Sequence, residues 1–362
     1  MIPIKNNNVL VCPLDWGLGH AARCIPIINE LTARGANVII AASGRASDLL
    51  RLEFPKLHHI NFKGFSPSYP VSGNMAGKML RSLPSFIYQL ITEKYRLSEI
   101  IKVHKIDIVI SDNRYGLINK NTFNVILIHQ IRIKVPRWLK GLEPFLSLIN
   151  RSLISRFDHC WIPDFADEDN LSGELSHSVR LPKNASYIGP LSRFQGRDHR
   201  AGTTEPYLLV LLSGPEPQRS LLENIIITQM CDHAMPVILI GGKTEESGIP
   251  RTVGNLTIYP YATEEVLFKF LVSASLIICR PGYSTIMDLA ATAGKALFVP
   301  TPGQTEQEYL GELFMSRGIA FSVPQKNLEL SKNITHALTY KGFTGNRENA
   351  MLMDHVDMLL AR

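Results

Sequence analysis

The sequence predicts an α/β protein with two doubly wound domains, each built on a mostly parallel sheet. Its 362 residues exceed the roughly 100 to 200 residues of one typical domain. In both halves, short apolar runs rich in β-branched residues alternate with longer amphipathic stretches, which is the rhythm of βαβ units. Between the halves, residues 181–206 lose this periodicity and gain proline, glycine and charge, as a linker does.

The strand candidates of the first half are apolar at nearly every position, which is typical of parallel strands covered by helices on both faces. They are NVLVCP, NVIIAAS, HHINF, DIVISD and NVILIHQ, with IPIINELTARG and IYQLITEKYRLSEIIKVHK among the helix candidates between them. These elements predict a first Rossmann-like domain over residues 1–195.

The second half repeats the pattern. Its strand candidates are YLLVLLSG, PVILIGG, LTIYPY, SLIICRPG and KALFVPTPG, and EEVLFKFLVSAS and STIMDLAATAG are helix candidates. They predict a second Rossmann-like domain over residues 203–345. The final segment, 346–362, has helical apolar spacing and needs a partner surface, so we expect it to return to the first domain.

Composition favours a soluble globular enzyme, since 45% of the residues are hydrophobic and 19% are charged. No apolar run reaches about 18 residues and no signal-type apolar core follows Met1, so we expect neither a membrane span nor a secretory signal, and a cytoplasmic location. The five cysteines are scattered without a CxxC pair, which predicts buried small hydrophobes.

Charge is uneven along the chain. Residues 1–195 hold 24 Lys and Arg against 15 Asp and Glu, a net charge of +9, and the remainder holds 14 against 17, a net charge of −3. A basic half favours partners that carry phosphate: a nucleic acid, an anionic lipid or a phosphorylated substrate. Composition alone does not choose among them.

Polar and glycine-rich residues follow the predicted strands, where parallel sheets bind their ligands. In the first half, Gly17, Gly19 and His20 follow the first strand, and Asp112 ends another. In the second half the strand ends supply Ser213, Gly214, Tyr261, Ala262, Arg280, Gly282, Ser284 and Thr285.

Residues 279–321 resemble the C-terminal signature of GT-B glycosyltransferases, especially the MurG-like branch. The motif comprises an Arg-x-Gly-x-x-Thr turn, an acidic residue, a strand and a paired Gln and acidic residue, here Arg280, Gly282, Thr285, Asp288, KALFVP, Gln307 and Glu308. The opening GLGHAAR is similar to the glycine loop with a histidine at the family's N-terminus. The resemblance implies GT-B architecture, with two Rossmann-like domains facing each other across a cleft.

The same residues make physical sense as a donor site. Gly282 lets the backbone turn so that N–H groups at the next helix start face a diphosphate, which Arg280 is also expected to stabilise as it departs. Asp288 is spaced to accept hydrogen bonds from ribose hydroxyls. A helix cap at Ser284 or Thr285 is the alternative.

Other second-half residues complete the expected donor site. Gln304, Gln307 and Glu308 are expected at the sugar hydroxyls, or else at a solvated helix start. Ser213 and Gly214 are expected at phosphate, although Pro215 and Pro217 depart from the family's glycine-rich loop and remove two donors. The family pattern puts the nucleobase against the backbone around Tyr261 and Ala262.

His20 is the predicted general base, because its ordinary pKa suits proton transfer near neutral pH. Asp112 is the rival base, or a residue that orients His20 or binds acceptor. A structural role at the helix start is the alternative for His20.

Segment 132–157 mixes basic residues with Trp138 and several leucines. That composition suits a helix at a membrane surface, although an amphipathic helix packed on a core has the same pattern.

The resemblance therefore implies an inverting, metal-independent transferase that moves a sugar from a nucleotide-sugar, UDP-sugar foremost, to an acceptor hydroxyl. No cofactor and no nucleic acid are expected. The acceptor is left open and includes lipid-linked and phosphorylated alcohols, which would place the enzyme at the inner face of the membrane. A nucleotide-sugar 2-epimerase and a non-catalytic nucleotide-sugar binding protein are the alternatives.

Overall fold

The computed structural model describes residues 7–64, 75–178, 180–197, 205–214, 216–243, 248–345 and 350–362. They form two compact units whose boundary falls between Leu191 and Ser192, inside the predicted linker, and the last helix belongs to the first unit. Residues 203–204 and 346–349, at the ends of predicted segments, lie outside the described residues.

The first unit carries the basic half of the sequence. Its strands are β1 (Asn8–Cys12), β2 (Asn37–Ala42), β3 (His58–Asn61), β4 (Ile108–Asp112), β5 (Phe123–Leu127), β6 (His159–Ile162) and β7 (Ala185–Tyr187). Its helices are α1 (Leu18–Ala33), α2 (Gly44–Glu53), α3 (Met75–His104) and α4 (Glu143–Ile154), with short 3-10 helices at Arg137–Leu142 and Gly173–Leu175.

These strands form one parallel sheet in the order β3-β2-β1-β4-β5-β6-β7. The chain starts in the middle at β1, proceeds outward through β3 and returns to the other side of β1 with β4. The order therefore reverses between β1 and β4, and the crevice outside the carboxyl ends at such a switch point is where doubly wound sheets bind ligands.

The second unit has strands β8 (Leu208–Leu211), β9 (Val237–Ile240), β10 (Arg251–Val253), β11 (Leu256–Tyr259), β12 (Leu276–Cys279), β13 (Ala296–Phe298) and β14 (Phe321–Ser322). Its helices are α5 (Gln218–Met230), α6 (Glu264–Ser273), α7 (Tyr283–Thr292), α8 (Thr305–Ser316) and α9 (Leu330–Leu338), with a 3-10 helix at Gln325–Asn327.

The second sheet has the order β10-β11-β9-β8-β12-β13-β14, and its pairs are parallel except β10 with β11. Its switch point lies between β8 and β12. In both sheets the central strands are largely apolar and most of their residues are buried, as helices on both faces require.

The last helix, α10 (Ala350–Leu360), packs against α1 of the first unit. Its buried side chains include Val356 and Leu359, and its exposed edge is tied by an ion pair between Asp357 and Arg34. The amide group of Asn7, just before β1, also donates to the carbonyl of Leu360 at 3.1 Å.

The structure corrects the sequence analysis at several short strands. β6, β7, β10 and β14 were not predicted, and β7 lies within the predicted linker. Three of these strands lie at or next to a sheet edge and have two or three residues, so they are too short to show periodicity. All five cysteines are free, and four of them are buried.

Candidate active site

The switch point of the first sheet brings His20 and Asp112 together. Asp112 is the last residue of β4, and α1 begins at Leu18 after the loop that follows β1. Gly17 caps α1 with φ of 89°, a left-handed conformation that glycine adopts without strain. His20 therefore lies in the first turn of α1, together with Gly19, and not in the preceding loop.

His20 and Asp112 form a hydrogen-bonded pair. Nδ1 of His20 lies 3.0 Å from Oδ2 of Asp112. Asp112 is fully buried, whereas the His20 side chain is 15% exposed. Nδ1 thus faces a buried carboxylate, which leaves Nε2 as the nitrogen that can meet a substrate.

Arg23, one helical turn further along α1, contacts the same carboxylate, and its Nη2 also lies 3.0 Å from Nδ1 of His20. Its Nε lies 3.1 and 3.0 Å from the two Asp112 oxygens, and its Nη2 contacts Oδ1. Nη1 of Arg23 also lies 3.1 Å from Nδ1 of His129, which follows β5. Arg23 and His129 are both buried.

These contacts favour an orienting role for Asp112 over that of the base. Burial alone raises its pKa, but the charge of Arg23 and the contact with His20 lower the pKa of Asp112 to about 2. A buried carboxylate that already accepts bonds from two side chains is a poor proton acceptor near neutral pH. Burial and Arg23 lower the pKa of His20, against the opposing effect of Asp112, so His20 is uncharged near neutral pH.

The switch point of the second sheet brings the loop after β8 next to the start of α7. Ser213 and Gly214 follow β8, and Gly214 has φ of 97° with open space around it. Ser284 and Thr285 lie in the first turn of α7 and, like Gly282, are half-buried. The first turn of α7 thus lies at the carboxyl end of β12.

Gly282 differs from the prediction in its backbone. It caps α7 with φ of −73° and ψ of 142°, an extended conformation open to any residue, so no tight turn requires glycine here. A Cβ at Gly282 would meet only Oγ1 of Thr285, at 3.9 Å. Its missing side chain leaves the start of α7 uncovered. As the N-cap residue, Gly282 contributes no side-chain hydrogen bond to the start of α7. The alternative of a cap at Ser284 or Thr285 stays a prediction.

Arg280 is a bracing residue in the structure. Its side chain is 1% exposed, and its guanidinium donates to the carbonyls of Val299, Pro300 and Gln218 and to Oε1 of Gln325 at 2.6 to 3.0 Å. Burial lowers the pKa of Arg280 to about 10. Because these donors are already used, the structure ties Arg280 to the loops around α7 and α5, in contrast to the predicted contact with diphosphate.

Asp288 lies one turn into α7 and already has a protein partner. Oγ of Ser192, the first residue of the second unit, donates to Oδ1 of Asp288 at 2.7 Å. Burial raises the pKa of Asp288 to about 6, opposed by the charge of Arg193 and by the Ser192 hydrogen bond. The predicted ribose contact of Asp288 would therefore share this carboxylate with Ser192.

Gln304, Gln307 and Glu308 brace their own loop. Gln304 caps α8, and its N–H donates to the carbonyl of Thr301. Oε1 of the buried Gln307 accepts the N–H of Thr301 at 2.8 Å, and Oε1 of the exposed Glu308 accepts the N–H of Gly303 at 3.1 Å. These bonds shape the loop after β13, a role that the predicted sugar contacts did not anticipate.

Tyr261 and Ala262 follow β11 and are half-buried. A Cβ at Gly248 would lie 3.3 Å from the Tyr261 hydroxyl, so the ring packs closely over that glycine. The structure thus places both residues at a third carboxyl strand end of the second sheet.

Neither His129 nor Ser192 was predicted to belong to the site. His129 follows a buried strand, which is a signal, but nothing in the sequence pairs it with Arg23. Ser192 lies in a stretch that has the composition of a linker. Both contacts join residues about a hundred positions apart, so only the fold shows them.

Segment 132–157 forms the 3-10 helix and α4. It presents large apolar side chains to solvent, and we call this set the α4 patch: Trp138, Leu142, Phe145, Leu148 and Ile149, which are 42% to 73% exposed. The exposed Lys140 lies in the same segment. Within the described part of the chain, no helix is both long and apolar enough to span a bilayer.

A protein-family model matches much of the C-terminal half of the chain. The model of the glycosyltransferase family 28 C-terminal domain matches residues 226–354. An uncharacterized glycosyltransferase of Methanosarcina mazei is 23% identical over 330 residues, which cover 85% of this chain and 84% of that protein. The UDP-N-acetylglucosamine–N-acetylmuramyl-(pentapeptide) pyrophosphoryl-undecaprenol N-acetylglucosamine transferase of Acetivibrio thermocellus is 24% identical over 64% of this chain and 63% of its own.

Solved structures show the same fold over the whole chain. The UDP complex of Arabidopsis thaliana UGT89C1 superposes with a TM-score of 0.66 at 13% identity and covers 99% of both chains. MurG of Acinetobacter baumannii superposes with a TM-score of 0.53 at 13% identity, over 98% of this chain and all of that one. The predicted α/β fold of GT-B architecture is confirmed, and the chain is a glycosyltransferase that is similar to the MurG branch.

Proposed function

We propose that the chain is an inverting glycosyltransferase that moves a sugar from a UDP-sugar to an acceptor hydroxyl, with His20 as the general base. The observation that carries the proposal is the contact between Nδ1 of His20 and the buried Asp112 at the switch point of the first sheet. A histidine whose Nδ1 contacts a buried carboxylate keeps its other ring nitrogen, Nε2, for proton transfer from an alcohol.

The reaction is a single displacement. The acceptor oxygen attacks the anomeric carbon as its proton passes to Nε2 of His20, and the bond from that carbon to the diphosphate oxygen breaks, which releases the nucleoside diphosphate. Asp112 remains a carboxylate and stabilises the imidazolium that forms. The configuration at the anomeric carbon inverts because there is one attack from the opposite face.

The second unit holds the donor in this proposal. The N–H groups in the first turn of α7 meet the diphosphate, since Gly282 leaves the helix start uncovered and helix N-termini favour anions. Asp288 accepts from the ribose hydroxyls, and the backbone around Tyr261 and Ala262 reads the base. Arg280 acts indirectly by bracing the loops around α7. No metal is needed, because the helix dipole and N–H groups stabilise the leaving group.

The preference for uridine nucleotides has support from relatives. The Acetivibrio thermocellus relative is named for UDP-N-acetylglucosamine, and the Arabidopsis thaliana structure was solved with UDP. The epimerase alternative finds no support in these comparisons.

The acceptor in this proposal is lipid-linked and reached at the inner face of a membrane. The α4 patch supports this step, because it exposes Trp138 and Phe145 beside a lysine in the basic half of the chain, a combination that suits the membrane–water interface. The relative from Acetivibrio thermocellus is named for an acceptor linked to pyrophosphoryl-undecaprenol.

The test is turnover with labelled donors. The full-length protein is first screened by thermal shift against UDP-, GDP-, TDP- and ADP-sugars, because a ligand that binds the folded state raises the melting temperature. The best donor is then incubated with lipid-linked and soluble alcohols, and product configuration is read by NMR. We expect a UDP-sugar to stabilise the protein and the product to have inverted configuration. Binding without turnover on any alcohol would favour the non-catalytic binding protein, and a retained configuration would exclude the single displacement.

A further inference from the structure

The surroundings of the His20–Asp112 pair contain a third charged side chain that a simple histidine–carboxylate pair lacks. Arg23 is 2% exposed, and its guanidinium contacts both Asp112 oxygens, Nδ1 of His129 at 3.1 Å and Nδ1 of His20 at 3.0 Å. One buried arginine therefore contacts His20, Asp112 and His129 at the same time.

The charge balance of this cluster depends on Arg23. An isolated carboxylate beside an imidazole stabilises the imidazolium and so favours the charged, non-basic form of histidine. Here the guanidinium cancels the charge of Asp112, so a proton on His20 would add a net positive charge to a buried site. The cluster thus favours uncharged His20.

The hydrogen-bond pattern defines which nitrogens carry protons. A guanidinium only donates, so Nδ1 of His129 accepts from Arg23 and its ring proton lies on Nε2. Nδ1 of His20 lies 3.0 Å from Oδ2 of Asp112, which only accepts when ionised, and 3.0 Å from Nη2 of Arg23, which only donates, and these two contacts require opposite tautomers. Because Nη2 of Arg23 also contacts Oδ1 of Asp112, we assign its hydrogen bond to that oxygen, so that Nδ1 of His20 donates to Oδ2 and the lone pair lies on Nε2. The nearby thiol of Cys24, 3.9 Å from Oδ2, stays protonated because burial raises its pKa.

We propose that Arg23 is a positioning residue of the transfer reaction, which fixes the Asp112 carboxylate and keeps His20 uncharged with its Nε2 lone pair directed to the acceptor. This inference rests on the proposed function, in which His20 is the base. Arg23 itself touches no reacting atom. The pH at which activity is lost on the acid side therefore depends on two side chains of α1, His20 and Arg23, which lie one turn apart on that helix.

The experiment replaces the charge and then restores it. Arg23→Gln removes the charge and keeps hydrogen-bonding groups, Arg23→Lys keeps the charge, and Arg34→Gln on the same helix is the matched control. Two readouts are taken on the full-length protein: the nitrogen NMR signals of the His20 ring across pH without substrate, and the pH profile of kcat/KM.

We expect wild-type His20 to show a protonated Nδ1 and an unprotonated Nε2. In Arg23→Gln the midpoint of the His20 titration should rise by about one pH unit or more, as loss of a neighbouring positive charge predicts. Histidine acts as a base only above its pKa, so the acid limb of kcat/KM should move to higher pH by the same amount and activity should recover partly in alkaline buffer. In Arg23→Lys the midpoint of the His20 titration should lie close to the wild-type value, and in Arg34→Gln it should not move.

Several outcomes would overturn the inference. A wild-type His20 protonated on Nε2 would mean that Arg23 donates to Nδ1. Equal loss of activity at every pH in Arg23→Gln, with an unmoved His20 titration, would reduce Arg23 to a structural role. If Arg23→Gln does not fold, Arg23→Gln with Asp112→Asn removes both buried charges at once and is compared with Asp112→Asn alone. The single variant leaves the Arg23 charge unbalanced, so its His20 titration should lie below that of the double variant, and equal titrations in the two variants would contradict the inference. The NMR readout needs no substrate, so it tests Arg23 even where turnover of His20→Ala shows that His20 is not the base.

Discussion

Ser192 donates a hydrogen bond to the carboxylate of Asp288 at 2.7 Å, and this contact joins the first residue of the second unit to α7. Ser192 is 2% exposed, and the ring of Phe194, two residues later, is fully buried against Phe268 of α6. The residue expected to bind ribose therefore also anchors the start of its own unit. Both the stability of the protein and its affinity for nucleotide should therefore depend on Asp288.

The stability of the protein should depend on the charge of Asp288. Burial raises its pKa from 3.8 to about 6, so the folded state holds the proton more tightly than the unfolded state does. Wild-type stability should thus fall as pH rises from about 4 to about 6. The side chain in Asp288→Asn cannot ionise, so the variant should not lose stability in this way. The difference between its free energy of unfolding and that of the wild type should therefore increase from about pH 4 to about pH 6 and stay constant at higher pH. Urea unfolding at several pH values measures the difference, and a constant offset at all pH values would contradict the prediction.

Nucleotide affinity should also depend on Asp288. Asp288→Ala removes the acceptor for ribose hydroxyls, and loss of buried hydrogen bonds of this kind costs on the order of 1 to 3 kcal/mol, or roughly 5- to 150-fold in affinity. Calorimetry with UDP on the full chain measures it. Ser192→Ala is the control, because it breaks the same internal hydrogen bond and keeps the carboxylate, so its UDP affinity should stay within about threefold of the wild type. Equal losses in both variants would show that the carboxylate only supports the fold.

The α4 patch predicts binding to anionic vesicles. Replacement of Trp138 and Phe145 by serine should lower the fraction that floats with vesicles by about tenfold or more, because two exposed aromatic rings carry much of the apolar area available to an interface. Tyr88→Ser with Tyr95→Ser is the matched control, since these rings are 69% and 71% exposed on α3 of the same unit. Turnover of a soluble acceptor should be unchanged in both. Flotation of the patch variant at the wild-type level would remove the support for a membrane-bound acceptor.

The fold was predictable because its central strands are apolar at nearly every position. Runs such as NVLVC and DIVIS are long enough to be recognised, and their order fixes which strand ends lie together. β7 and β14 could not be predicted, because two or three residues of edge strand carry no period.

The site was predictable only to the level of strand ends. His20 and Asp112 were recognised because each follows a buried strand of the same half. Their distance, and the insertion of Arg23 between Asp112 and His129, depend on the register of β1, β4 and β5. Arg280 illustrates the limit, since its motif position gives no indication that its donors turn toward backbone carbonyls.

Arg280 should prove to be a stability residue. Arg280→Met removes the donors for three main-chain carbonyls inside a buried loop region, and each unsatisfied buried carbonyl costs about 1 to 3 kcal/mol. The free energy of unfolding should fall by several kcal/mol, whereas Arg280→Lys should recover part of it. Urea unfolding and UDP calorimetry on both variants separate the two roles. Normal stability with a large loss of UDP affinity in Arg280→Lys would instead support the predicted contact with diphosphate.

The final prediction concerns the proposed base. His20→Ala should lower kcat by about 100-fold or more and leave UDP affinity unchanged, because the base acts on the acceptor and the donor candidates lie on the second unit. Asp112→Asn should also lower kcat, since the amide cannot hold Nδ1–H of His20 as an ion does, and the double variant should be no slower than the slower single variant because both act through one proton transfer.

The pH profile supplies a second check on the same residue. Burial lowers the pKa of His20, so the acid limb of the wild-type profile should lie below the ordinary range of histidine, with activity present above that pKa and lost as pH falls through it. The limb should be absent in His20→Ala. His20→Asn separates a base from a residue that shapes the helix start, because asparagine keeps polar contacts in the first turn of α1 and has no basic nitrogen. A near-normal rate in His20→Asn at saturating acceptor, together with an inactive Asp112→Asn, would transfer the role of base to Asp112.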